Sequence, residues 1–128
     1  MEKRIQEKPK MQGSPDKVFE RIYKLVRRND PRGDLKKLRS AFKRACELHS
    51  DQIRKSGEPY IHHLLAVAEI LAELRLDVVT VSASMLHDSL EDTPLTKGKL
   101  NDEFGEEIAN LVEGASKLSK FSPDPALA

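Results

Sequence analysis

The sequence predicts an all-α protein, a bundle of about six helices. Three observations carry that expectation. Apolar residues recur at three- and four-residue spacing in successive stretches, most of them opened by a residue able to cap a helix. Clusters of Pro, Gly, Asn and Asp separate those stretches. No stretch alternates polar and apolar residues convincingly, as a half-buried strand would.

Residues 1–13 are charged and polar, as expected of a disordered tail. Ser14-Pro15-Asp16 opens the first helix, with proline where its missing N–H is tolerated. Val18, Phe19, Ile22, Leu25 and Val26 give that helix an apolar face. Asn29 to Gly33 reads as a turn. Asp34 can cap a second helix, with Leu35, Leu38, Phe42, Ala45 and Leu48 on one side, reaching about His49. Arg54 to Pro59 is a loop, since Gly57 and Pro59 both interrupt a helix. A third helix starts near Pro59. Its apolar residues, among them Ile61, Leu64, Leu65, Val67 and Leu71, cover so much of its girth that it is expected to be central. Asp77 can cap the fourth. Val78 to Val81 is rich in β-branched residues, yet the small residues Ser82-Ala83-Ser84 followed by Met85-Leu86 favour a buried helix, ended by Thr93-Pro94. Thr96 can cap a short fifth helix to Phe104. Gly105 breaks it, and Ile108, Leu111, Val112, Ala115 and Leu118 make a sixth. Ser122-Pro123-Asp124-Pro125 ends the regular structure.

Composition narrows the function without naming it. The 128 residues fit one domain, with 38% hydrophobic and 34% charged residues and no Trp, so aliphatic side chains must build the core. A net charge of +1 gives no broad field for nucleic acid. Cys46, the single cysteine, excludes an internal disulfide and a Cys-rich metal site, and reads as a small buried apolar residue. No apolar run approaches the roughly 20 residues of a membrane span. No apolar stretch follows the charged N-terminus, as a signal peptide would require. The expected setting is cytoplasmic.

The chemistry concentrates at the end of the fourth helix. His87 offers an imidazole nitrogen and Asp88 a carboxylate, both good ligands for a divalent cation. The dipeptide alone is weak, because chance supplies it in many chains. Glu91 and Asp92 repeat the pair four residues on, so all four side chains share about half of the helix circumference if the helix persists. Such a polar cluster beside an apolar segment is costly unless something pairs it. A solvated helix end is the plain alternative. His62-His63 at the start of the third helix could add a ligand or simply hydrogen-bond locally. His49, at the end of the second, is read as structural. Arg54-Lys55 in a loop suits phosphate, and arginine can stack on a base, although exposed cations are often only solvated. Tyr60 could stack on a ligand or cover the core.

The run Arg54-Lys55-Ser56-Gly57-Glu58-Pro59-Tyr60-Ile61-His62-His63, then His87-Asp88, Glu91-Asp92-Thr93, Glu103-Phe104-Gly105 and Val112 to Leu118, resembles the N-terminal HD hydrolase domain of the RelA/SpoT (p)ppGpp synthetase/hydrolase family. The resemblance covers about residues 16–121. It implies an HD-domain helical bundle around one Mn²⁺. The implied reaction is hydrolysis of the 3′-pyrophosphate of ppGpp or pppGpp to GDP or GTP plus pyrophosphate, as part of the stringent response. By that resemblance His63, His87 and Asp88 are metal ligands, and Glu91 and Asp92 activate or position the attacking water. Arg54 and Lys55 hold the guanine nucleotide, Arg54 against its base, and Tyr60 lies near that pocket.

Some positions depart from the family pattern. Leu64 replaces the usual proline, Asp51 a usual glycine, and Ser89-Leu90 a more β-branched pair. The family's fourth ligand, an aspartate in a downstream Ala-Asp-Arg-Leu-His-Asn-Met-Arg segment, has no counterpart, since Asp124 sits in a different context. The expectation is therefore a partial hydrolase domain at 14–121 with a tail at 122–128, the C-terminal part of the usual domain missing. Weak Mn²⁺ binding and low or no turnover follow from that. Two other readings compete: an HD phosphohydrolase acting on another nucleotide, and a non-catalytic regulatory module or homodimer formed through exposed apolar surface.

Overall fold

The computed structural model describes residues 14–120, without the side chains of Glu91, Asp92 and 116–120. The tails expected at 1–13 and 122–128 lie outside the described residues. Seven helical elements follow one another: α1 Pro15–Asn29, α2 Leu35–Leu48, α3 Tyr60–Glu73, α4 Val78–Leu86, α5 Ser89–Asp92, α6 Lys97–Phe104 and α7 Glu106–Lys120. Six are true helices, and α5 is a single turn of four residues. The fold is all-α, and among the described residues the only β pairing is an isolated bridge between Ile53 and Pro59.

Local chemistry sets most boundaries. Ser14, Asp34, Asp77 and Thr96 each accept a hydrogen bond from the backbone amide three residues on, satisfying an amide the helix itself cannot. Gly105 ends α6 at φ 93°, a conformation that disfavours any residue with a Cβ.

One boundary differs from the sequence reading. The helix expected to run from Val78 to Thr93 is interrupted at His87-Asp88. Side chains take over carbonyls at this point. Ser84 Oγ donates to Val81 O at 2.7 Å, His87 Nδ1 to Ser84 O at 2.7 Å, and Ser89 Oγ to Leu86 O at 2.6 Å. Hydroxyl and imidazole donors thus compete with the backbone ladder and loosen it. His87 stays close to helical geometry (φ −64°, ψ −27°), so the chain shifts course gently and does not turn away.

Centrality also falls elsewhere than expected. α4 packs against α2, α3 and α7, whereas α3 packs mainly on α1 and α4. The broad apolar girth of α3 leaves Ile70 56% and Leu74 65% exposed. α4, built of small and β-branched residues, allows closer approach on several sides, and six of its nine residues are buried.

The core joins Val18, Phe19, Ile22 and Val26 of α1 to Leu38, Ala41, Phe42 and Ala45 of α2 and Leu64, Leu65, Ala68 and Ala72 of α3. Phe19 and Phe42 stack with ring centroids 4.4 Å apart. Each large side chain so buried contributes about 1.5–3 kcal/mol. This rigid wall holds the start of α3 against the end of α4, which brings Tyr60 and His63 beside His87 and Asp88.

Candidate active site

The loop between α2 and α3 is tightly tied. His49 caps α2, is 2% exposed, and shares a 2.7 Å hydrogen bond between its Nδ1 and Gln52 Oε1. Gln52 N–H donates to His49 O, and Tyr60 N–H donates to Gln52 O at 2.9 Å. Beyond Gln52 the chain makes a narrow excursion and returns. Arg54 N–H donates to Glu58 O, and Gly57 N–H donates to Arg54 O, both at 2.8 Å. Gly57 adopts φ 93°, which a Cβ would strain although no atom crowds it. The excursion presents Arg54, Lys55 and Ser56 to solvent.

A cavity of about 590 Å³ lies against this excursion, lined by Ile53, Arg54, Lys55, Ser56 and Tyr60. Among the described residues no ion pair engages Arg54 or Lys55, whereas arginines 21, 39 and 44 all pair with glutamates. Two uncommitted cations beside a cavity form an anion-seeking surface.

The next group is His87 with Asp88. A carbonyl oxygen can only accept, so the 2.7 Å contact to Ser84 O requires His87 Nδ1 to carry a proton. In the neutral ring that leaves the lone pair on Nε2, which lies 3.3 Å from Asp88 Oδ2. A lone pair facing a carboxylate oxygen is unfavourable without a cation to share. A backbone bond at Nδ1 is also the usual way a metal-ligating imidazole is oriented. The Tyr60 hydroxyl donates to the same Asp88 Oδ2.

His63 stands in the first turn of α3, its ring 5.6 Å from that of Tyr60. Its pKa is lowered from the ordinary histidine value, first by burial, then by the charges of Arg54 and His87, against an opposing pull from Glu58. A lowered pKa keeps the ring neutral and its lone pair available as a ligand. His49 also packs against Tyr60, centroids 4.9 Å apart, and its Nε2 has no hydrogen-bond partner among the described residues. His62 Nδ1 is likewise buried without one.

The donor set suits a divalent cation: two imidazoles, one of them held in a ligating tautomer, and a carboxylate. The geometry is not a finished cage. Among the described residues no three His, Cys, Asp or Glu side chains stand together closely enough to hold a metal. His87 and Asp88 converge as a pair, and His63 stands near them. Glu91 and Asp92 form the helical turn α5 directly after the pair, their side chains lying outside the description.

Sequence reasoning missed two features. Nothing in the sequence marked Ser84 O as the group that orients His87, because every residue has a carbonyl. Tyr60 was placed by the nucleotide cavity, and its bond to Asp88 crosses 28 positions of sequence with no pattern to announce it.

Comparison with known proteins bears directly on this arrangement. The family model described as HD domain matches residues 41–124, which takes in the loop, both histidine groups and the acidic pair. The chain belongs to the HD-domain family. This HD domain is 48% identical over 104 residues to the bifunctional (p)ppGpp synthase/hydrolase SpoT of Escherichia coli K12, covering 81% of this chain and 15% of that protein. It is 44% identical over 108 residues to a GTP pyrophosphokinase of Myxococcus xanthus, covering 84% of this chain and 14% of the relative. It is 51% identical over 84 residues to a guanosine-3′,5′-bis(diphosphate) 3′-pyrophosphohydrolase of Vibrio cholerae, covering 66% and 12%. The resemblance to RelA/SpoT proteins therefore holds, and the chain spans about one-seventh of the length of such relatives. Among the described residues no helix is long and apolar enough to cross a membrane.

Proposed function

We propose that this HD domain houses the site that removes the 3′-pyrophosphate of ppGpp and pppGpp, giving GDP or GTP and pyrophosphate. The observation that carries the proposal is the His87–Asp88 pair, with Nδ1 committed to Ser84 O and Nε2 turned to Asp88 Oδ2 at 3.3 Å. Tyr60, bonded to Asp88, links the pair to a cavity edged by two uncommitted cations. Relatives carrying the name 3′-pyrophosphohydrolase support the choice of substrate.

His63, His87 and Asp88 are the proposed ligands, and Mn²⁺ is the proposed ion, since imidazole with carboxylate suits it. A divalent cation, when bound, supplies Lewis acidity toward water and phosphate oxygens. The protein's own groups do the rest. Arg54 lays its planar guanidinium against the guanine, and Lys55 neutralises phosphate charge. Glu91 and Asp92, one turn beyond the ligand pair, orient the attacking water and take its proton. The proton passes to the ribose 3′ oxygen as its bond to pyrophosphate breaks. The cytoplasm is the proposed setting.

A nucleotide panel tests this reading. The chain is expected to bind ppGpp in preference to GDP and GTP, and Arg54→Ala to weaken that binding about tenfold. Any pyrophosphate released from ppGpp is expected to require Mn²⁺. Preference for a nucleotide without a 3′-pyrophosphate would reassign the domain to another phosphohydrolase reaction.

A further inference from the structure

Tyr60 belongs to two places at once. Its ring lines the cavity of Arg54 and Lys55, and its hydroxyl donates to Asp88 Oδ2, the oxygen that faces His87 Nε2. The ring packs against two histidines, His49 at 4.9 Å and His63 at 5.6 Å. Its backbone amide is fixed too, through Gln52 O. His49 is nearly fully buried and bonded to Gln52, so the support beneath Tyr60 is itself rigid. A phenol restrained in this way cannot swing freely between a nucleotide and a carboxylate.

From this geometry we infer that Tyr60 is a positioning residue for the metal centre: its hydroxyl sets the rotamer of Asp88 so that the carboxylate meets the cation beside His87. The inference rests on the metal reading above and assigns Tyr60 a role beyond that of a cavity wall. An unrestrained aspartate can rotate about two side-chain bonds, and each lost orientation lowers affinity. Partners of this kind, bonded to a ligand and not to the metal, are worth about 10–100-fold in metal affinity or activity.

The experiment is a Mn²⁺ titration of the whole 1–128 chain, read by electron paramagnetic resonance of the free ion. Wild type is compared with Tyr60→Phe, Asp88→Asn and the double variant. Phenylalanine keeps the ring packed against the two histidines, and circular dichroism checks that the helices persist. Tyr60→Phe is expected to weaken Mn²⁺ binding about 10–100-fold. In the Asp88→Asn background the same change is expected to cost less than about twofold, because the route through Asp88 is already gone. Wild-type Mn²⁺ affinity retained within about twofold in Tyr60→Phe overturns the inference while leaving the metal site standing. Equal losses from Tyr60→Phe in both backgrounds also overturn it, since the hydroxyl would then act by another path. A wild-type chain that takes up no Mn²⁺ overturns the metal reading and this inference together.

Discussion

The α1–α2 wall and the end of α3–α4 follow opposite rules. In the wall, several arginines are matched. Arg21 meets Glu69 at 2.9 Å, Arg39 meets Glu20 at 3.0 Å, and Arg44 meets Glu103 at 3.0 Å. Both helices begin on a side-chain cap. At the other end the matching fails repeatedly. α3 begins without a side-chain cap bond, α4 breaks at His87, and His49 Nε2 and His62 Nδ1 are buried without partners among the described residues. Arg54 and Lys55 face a cavity with no ion pair. Exposed ion pairs contribute little individually, so the wall's matching matters less for its energy than as a contrast. Buried polar groups normally find partners, so the unpartnered nitrogens of His49 and His62 make that end the candidate place for a ligand.

The largest break in this comparison comes from the wall. Phe19 is fully buried and stacked on Phe42. Phe19→Ala is expected to lower unfolding free energy by about 3–5 kcal/mol, through lost burial and the cavity left behind. Denaturant unfolding followed by circular dichroism measures it. Mn²⁺ affinity of the protein that remains folded should not change, because the ring contacts of Phe19 are with Tyr23, Arg39 and Phe42, all in α1 and α2. A parallel loss of affinity in folded protein would show that the two regions are one mechanical unit.

His87→Ala works from the other side. The His87 side chain is 31% exposed, and its bonds serve orientation more than packing. Mn²⁺ affinity is expected to fall at least tenfold, about 1.4 kcal/mol. Stability without metal should change by less than about 1 kcal/mol. Isothermal calorimetry and thermal unfolding on the same samples give both numbers. A large stability loss with unchanged affinity would make His87 a packing residue and remove the contrast.

The same division decides what the sequence could disclose. The caps at Ser14, Asp34, Asp77 and Thr96, and the apolar faces of α1 and α2, follow from short-range rules, and the structure places them where spacing puts them. His87-Asp88 was visible as a metal-suited pair, but not the break in the helix there. That break depends on hydroxyls of Ser84 and Ser89 choosing carbonyls over solvent, which a residue list does not specify. The central place of α4 was hidden for a related reason. Hydrophobic girth pointed to α3, whereas small residues let α4 approach three neighbours. Tyr60 meeting Asp88 is a matter of how α3 crosses α4, and sequence spacing carries no information about that.

The smallest effect sharpens the comparison along a single helix, because α4 has a satisfied start and an unsettled end. Asp77 Oδ1 accepts from Thr80 N–H at 2.9 Å. The Thr80 hydrogen bonds, side chain first and backbone second, hold the Asp77 carboxyl below its usual range, against a slight opposing effect of burial. A carboxylate with a depressed folded pKa stabilises fully above its unfolded value, near about pH 3.9. That contribution is lost as pH falls through the folded value, because the unfolded chain takes up the proton first. Asp77→Ala is therefore expected to cost about 1 kcal/mol at neutral pH. The gap from wild type should narrow in denaturant midpoints measured toward about pH 3. Asp77→Asn keeps an acceptor for the Thr80 amide, so it should match wild type at neutral pH within a few tenths of a kcal/mol. Neither variant should alter Mn²⁺ affinity, since the cap lies at the opposite end of α4 from His87. A gap that does not vary with pH would mean that the aspartate acts through shape alone. A change in metal affinity would mean that the start of α4 governs the rotation of His87, and the two ends of the helix could no longer be treated separately.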